Sequence, residues 1–189
     1  PVPPETLALL PGLVKYLKDQ LLPAWKKLKA AFIIADLEVF ARYCTDLGEE
    51  TNVPVLQVWG GQLLDQAQRI DLEKLGDTLN DFTGLISVLE SKITPGDPGN
   101  NTEPRDAEKF TPVRSLDLFR VKKEPGQKPL LLIIDDIPKN LQVLGSFLRK
   151  KGFRVALHAA GAGALDMIAV EKPDLVLLDI MMPGMNGME

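Results

Sequence analysis

Three aspartates carry the chemistry this sequence could perform. Asp135 and Asp136 follow the aliphatic run Leu130-Leu131-Leu132-Ile133-Ile134, and Asp179, 44 residues after Asp135, follows Leu175-Val176-Leu177-Leu178. A short run of branched aliphatics bounded by turn residues is the pattern of a strand buried on both faces of a parallel sheet. Two such strands, joined by right-handed crossovers, would bring all three carboxylates to one end of the sheet. Open α/β sheets bind their ligands at that end. Three carboxylates in one pocket call for a cation.

The strings Ile134-Asp135-Asp136-Ile137-Pro138-Lys139-Asn140-Leu141 and Leu178-Asp179-Ile180-Met181-Met182-Pro183-Gly184-Met185-Asn186-Gly187 closely resemble the receiver domain of two-component response regulators and hybrid histidine kinases. Their spacing and the order of strands and helices agree with it, and the resemblance covers residues 128–189. It implies that Asp179 is the nucleophile that becomes an aspartyl phosphate. It also implies a Mg²⁺ held by Asp135, Asp136, Asp179 and the backbone carbonyl of Met181, with Asp135 acting directly or through water. Phosphoryl transfer needs an in-line nucleophile and a cation to neutralise the phosphoryl oxygens, and Mg²⁺ takes oxygen ligands. The implied donor is a phospho-histidine on a histidine kinase or histidine-phosphotransfer protein, so the domain would catalyse only its own phosphorylation. The bland alternative is that Asp135 or Asp136 merely caps the helix that begins near Pro138.

The sequence departs from the family in two respects. Asn186 stands where an Asp is common, which would tune the loop without removing the nucleophile. The fourth and fifth strands of a complete receiver supply a Ser/Thr hydroxyl and a Lys, and no residue up to Glu189 fills either role. Three strands alone leave an edge and much of one face open. Further chain, self-association or docking on the preceding helices would have to cover them.

The elements that position the aspartates follow in order. Leu141, Leu144 and Leu148 form the inward stripe of a helix that Gly152 ends. Phe153 to Leu157 reads as the second strand, and His158 closes it as a strand-end side chain rather than a phosphate relay. Pro183 and Gly187 shape the turn after Asp179.

Upstream, residues 4 to about 90 read as four amphipathic helices. Leu10, Leu13, Leu17, Leu21, Trp25 and Leu28 make one apolar face, with Pro11 and Pro23 expected to start or bend it. Leu37, Phe40, Cys44 and Leu47 make a second, and Leu56, Trp59, Leu63 and Ala67 a third with Pro54 in its first turn. Asp71 caps a fourth carrying Leu72, Leu75, Leu79, Phe82, Ile86 and Leu89. Trp25, Trp59 and Cys44 read as core, and Gly60-Gly61 as a point where a neighbouring helix comes close. The fold class is therefore multi-domain. An all-α antiparallel four-helix bundle (1–93) leads through a Pro/Gly-rich linker with a short apolar docking segment (94–127) to the first three strands of a flavodoxin-like, doubly wound α/β receiver (128–189).

Composition removes several function classes. Residues 1–93 hold 9 Lys/Arg against 13 Asp/Glu, 94–127 hold 6 of each and 128–189 hold 7 of each, so there is no basic footprint for nucleic acid. One cysteine and one histidine exclude an intrachain disulfide and argue against a Cys/His zinc site. No apolar run suits a membrane span and the start is not signal-like, which points to a cytoplasmic setting without direct membrane contact; a parent protein could still be anchored. Residues 1–127 contain no histidine, so the helices are neither a phosphotransfer domain nor a kinase's phospho-histidine helix pair. The expected function is a phosphorelay signalling protein, as part of a hybrid kinase or multi-domain regulator. The rival reading is a non-catalytic scaffold whose bundle docks partners or forms a homodimer. An unrelated Mg²⁺ phosphatase would need a differently spaced Asp pair.

Overall fold

The computed structural model describes residues 4–93, 110–112, 126–159, 163–182 and 185–186. The Pro-rich stretch 94–104, the apolar segment 113–121 and the turn residues Pro183, Gly184 and Gly187 lie outside them.

The helical region opens with α1 (Pro4–Tyr16), a π-helical turn (Leu17–Leu21) and α2 (Leu22–Ala31). Leu10, Leu13, Leu17, Leu21, Trp25 and Leu28 are all buried along this limb. The wider turn, closed by the Leu22 N–H on the Leu17 carbonyl, directly precedes Pro23. Within a regular helix a proline ring clashes with the carbonyl four residues back. Next, α3 (Ile34–Glu50) and α4 (Pro54–Arg69) lie against each other where glycine permits. A Cβ on Gly60 would meet the Thr45 nitrogen at 2.6 Å and the Ala41 carbonyl oxygen at 2.7 Å, whereas one on Gly61 would meet nothing within 4 Å. Only the first glycine of the pair serves close approach.

The expected fourth rod is divided into α5 (Leu72–Asn80) and α6 (Phe82–Glu90). Asp71 caps its start as anticipated, accepting from the Lys74 N–H at 3.4 Å. The break at Asp81 coincides with hydrogen bonds from the tryptophans. Trp59 Nε1 donates to the Thr78 carbonyl and Trp25 Nε1 to the Leu79 carbonyl, both at 3.0 Å. A continuous helix would use those two carbonyls for the N–H groups of residues 82 and 83. Phe82 then turns into an aromatic centre with Trp59, Trp25 and Phe40, its ring centroid 4.9 to 5.7 Å from theirs. The helical region thus comprises six α-helices and a π turn among the described residues, rather than four uninterrupted rods.

The second region alternates strand and helix: β1 (Leu130–Ile134), α7 (Pro138–Lys150), β2 (Arg154–His158), α8 (Ala164–Glu171) and β3 (Leu175–Leu178), then the two-residue strands β4 (Met181–Met182) and β5 (Met185–Asn186). The first three strands are parallel in the order β2-β1-β3, consistent with a partial flavodoxin-like fold. Strand alternation divides the sheet's side chains between two faces. Ile133, Val155 and Leu157 share a core with Leu141 of α7, and Leu130, Leu132, Ile134 and Ala156 share another with Ala164 and Met167 of α8. Gly152 follows α7 at φ +92°, as a helix-ending glycine should. One inward position differs from expectation. Leu144 is exposed and Gly145 is buried in its place, because Ile70 and Leu157 close on the helix there.

Both cores cross into the helical region. The first is continuous with Leu37, Leu63, Ala67 and Ile70, and the second includes Ala31 and Ile33. At the opposite side of the sheet β3 is less covered, with Leu175 and Leu178 exposed. Among the described residues no helix is long and apolar enough to cross a membrane.

Candidate functional site

Parallel registration places the acidic residues together. Ile134 of β1 stands opposite Leu178 of β3, so the next residue on each strand, Asp135 and Asp179, leaves the sheet at the same level. The Asp179 N–H donates to the Ile134 carbonyl at 2.9 Å, and the Asp135 N–H to the His158 carbonyl of β2 at 3.2 Å. At the far end of the strands Asp174 fixes the start of the pairing: its N–H donates to the Leu130 carbonyl and its Oδ2 accepts from the Leu130 N–H, each at 2.8 Å. The strands are thereby pinned at both ends. Ligand oxygens of Asp135, Asp136 and Asp179 then lie within 4.8 Å of one another, all three side chains half-buried.

Each carboxylate has a distinct environment. Asp135 Oδ1 accepts from the Ile137 N–H at 2.8 Å, and Asn140 Nδ2 lies 3.2 and 3.0 Å from Oδ1 and Oδ2. Ile137 is the N-cap residue of α7, and no side chain caps that helix. Asp135 therefore makes an Asx-type turn into the helix instead of satisfying its first-turn donors, and the capping alternative explains only one of its bonds. Asp136 accepts no hydrogen bond among the described residues. Asp179 Oδ1 accepts from the Met181 N–H at 3.1 Å, which sets Met181 beside the pocket with its side chain exposed. Asn140 is the residue that the sequence reading gave no role. Its signal was present, since a side chain in the first turn after Pro138 faces back toward the strand end it has just left.

The donor set suits a hard cation. Three carboxylates close together in a half-buried pocket repel one another, and all-oxygen ligation matches Mg²⁺ rather than a thiophilic metal. Cys44 is fully buried in the helical core, as expected, and that burial pushes its thiol far above the usual range. A thiol so placed is a small hydrophobe, not a nucleophile. His158 ends β2 as anticipated.

A parallel β2-β1-β3 sheet with acidic residues gathered at its carboxyl end fits a partial flavodoxin-like domain. The family model for the response regulator receiver domain matches residues 131–189, and that stretch is a receiver-domain segment. Over the same part of the chain it is 44% identical across 59 residues to the DNA-binding response regulator MtrA of Mycolicibacterium smegmatis and 41% identical across 59 residues to protein PilH of Pseudomonas aeruginosa. It is also 42% identical across 60 residues to the transcriptional activator protein PfeR of Pseudomonas aeruginosa. These alignments take in 31 to 32% of this chain, and 26% of MtrA, 49% of PilH and 20% of PfeR. No solved structure matches the chain.

Proposed function

We propose that the chain belongs to a two-component phosphorelay, with its receiver segment accepting a phosphoryl group on Asp179 from a phospho-histidine of a kinase or phosphotransfer partner. The observation that carries this reading is the convergence of Asp135, Asp136 and Asp179 within 4.8 Å. A carboxylate oxygen of Asp179 attacks the phosphorus in line, the new P–O bond forms as the P–N bond to the donor imidazole breaks, and the leaving imidazole takes up a proton. The Met181 N–H holds Oδ1, leaving Oδ2 as the oxygen to attack. Asp135, Asp136, Asp179 and the Met181 carbonyl would hold Mg²⁺, which when bound neutralises the phosphoryl oxygens. Asn140 and the Ile137 N–H keep the Asp135 carboxylate turned toward the pocket.

The helical region, without histidine, takes no part in the transfer. In this reading it is a four-limbed antiparallel bundle, with α5 and α6 as one bent limb, and it serves as a scaffold in a hybrid kinase or multi-domain regulator. Residues 94–127 link it to the receiver. The test is intact mass after incubation with Mg²⁺ and a small-molecule phosphodonor such as phosphoramidate. One added phosphoryl group, not formed when Mg²⁺ is chelated before the donor is added and absent in Asp179→Asn, is the expected result. Undiminished labelling of a folded Asp179→Asn protein would remove the assignment, and no labelling of the unaltered chain would favour the scaffold alone.

A further inference from the structure

An edge strand presents unpaired backbone groups that invite another strand, and β2 is an edge of this sheet. The helical region covers it. Phe32 ends α2 in the left-handed region at φ 47°, ψ 38°, and Ile33 continues extended at φ −81°, ψ 113°. Ile33 bridges Ala156 in antiparallel sense, and the Leu157 N–H donates to the Phe32 carbonyl at 3.4 Å. A left-handed Phe is costly for an L-residue, so its neighbours must hold it there. A second bulky residue, Ile70 at φ 52°, also faces the receiver segment: a Cβ on Gly145 would lie 3.3 Å from its Cδ1.

Charge specifies the same contact. The first two turns of α3 carry Asp36 and Glu38, and the receiver segment answers with two arginines. Arg154 Nη2 lies 3.1 Å from both Asp36 oxygens, and Arg149 Nη2 pairs with Glu38. Arg149 Nη1 reaches the Ala67 and Gln68 carbonyls at 3.3 Å, and Gln142 Nε2 reaches the Arg69 carbonyl at the same distance. Those are carbonyls of the last turn of α4, where the Ala67 carbonyl also accepts the Ile70 N–H at 3.2 Å, and they carry the negative end of the helix dipole. The side chains of both ion pairs are no more than 24% exposed. Burial raises the Asp36 carboxyl even against the pull of Arg154, so desolvation outweighs attraction there and the pair sets register more than it adds stability.

We infer that the helical region is a dedicated docking partner of the receiver segment within the same chain, sealing the β2 edge with Phe32–Ile33 and registered by Asp36–Arg154 and Glu38–Arg149, so that loosening this dock exposes the β2 edge before the sheet itself opens. The consequence reaches the acidic end of the sheet, because the sealed strand supplies the His158 carbonyl that receives the Asp135 N–H. The inference does not depend on phosphorylation.

The test is amide hydrogen exchange of the full chain carrying Arg154→Asp, Asp36→Arg or both. The reporter is the Leu157 amide, and the Ile133 amide inside the sheet is the reference. Each single reversal should speed Leu157 exchange by about tenfold or more relative to Ile133, and the double reversal should bring it back to within a few-fold of the unaltered chain. Singles that leave Leu157 unchanged, or a double reversal as fast as the singles, would overturn the inference. If a single reversal unfolds the chain by circular dichroism, refolding in the double reversal supports the dock and persistent unfolding counts against it. The neutral pair Arg154→Gln and Asp36→Asn then supplies the exchange comparison, with faster Leu157 exchange expected and unchanged exchange adverse.

Discussion

Neutralising Asp136 should have two effects of opposite sign. Its carboxylate shares a site with Asp135 and Asp179, ligand oxygens within 4.8 Å. At that separation two unit charges repel by about 0.9 kcal/mol in bulk water and by about 3.5 kcal/mol at an effective dielectric of 20. The side chains are only half-buried and open to water, so the bulk-water figure is taken as the lower bound. Asp136→Asn removes two of the three repulsive pairs and breaks no hydrogen bond among the described residues. It should stabilise the cation-free protein by about 1–2 kcal/mol, raising Tm by roughly 2–8 °C for a chain of this size. With Mg²⁺ at a hundredfold excess over its dissociation constant, the unaltered protein should gain about 2.7 kcal/mol and the variant much less. Thermal denaturation followed by circular dichroism at matched ionic strength, with and without Mg²⁺, reads both effects. The variant should melt higher without the cation and lower with it. A variant that melts lower without Mg²⁺ would mean that Asp136 is held by the protein and not repelled within it. Equal Mg²⁺ gains in both proteins would place the cation elsewhere.

Two further perturbations test the packing and the interface. Gly60→Ala would drive a Cβ to 2.6–2.7 Å from the α3 backbone, an overpacking of about 1–3 kcal/mol against a helical gain of about 1 kcal/mol. Gly61→Ala meets nothing and should gain up to about 1 kcal/mol. Urea midpoints that move together in the two variants would contradict the close α3–α4 approach. Burial holds the carboxyls of Asp36 and Glu171 above their ordinary values of 3.8 and 4.5. In the window above those values the folded protein binds more protons than the unfolded one, so stability from these groups falls as pH rises through it. Melting curves from about pH 4 to 7 should show the unaltered protein losing ground to Asp36→Asn/Glu171→Gln as pH rises, and the reverse trend would mean the carboxyls favour their charged forms.

Much of this molecule was legible along the chain because its signals are local and periodic. The aliphatic runs ending at Asp135 and Asp179 marked two strands that do end there, and the three- and four-residue spacing of leucines marked faces that are buried. Cys44, Trp25 and Trp59 are in the core as their positions suggested. Signals that depend on a neighbour distant in sequence were not legible. The break at Asp81 coincides with indoles 22 and 56 residues away taking two carbonyls of the same helix, and the Asn80-Asp81 pair is its one local mark. Leu144 satisfied the helical stripe, yet Gly145 is the inward residue, with Ile70 and Leu157 closing to 3.3 Å of where its Cβ would be.

The same division holds for the site and for the chain as a whole. Residue type and spacing determined which three carboxylates would meet, since parallel strands that stop at Asp must deliver them to one end of a sheet. Only the tertiary structure determined how they are held: Asn140 and the Ile137 N–H on Asp135, the Met181 N–H on Asp179, and no such partner among the described residues for Asp136. It alone decided that the helical region would lie along β2. Asp36 and Arg154 are 118 residues apart, and no periodicity reaches across that distance. A contact between distant segments is chosen by shape and charge once both surfaces exist, and those surfaces form only as the chain folds.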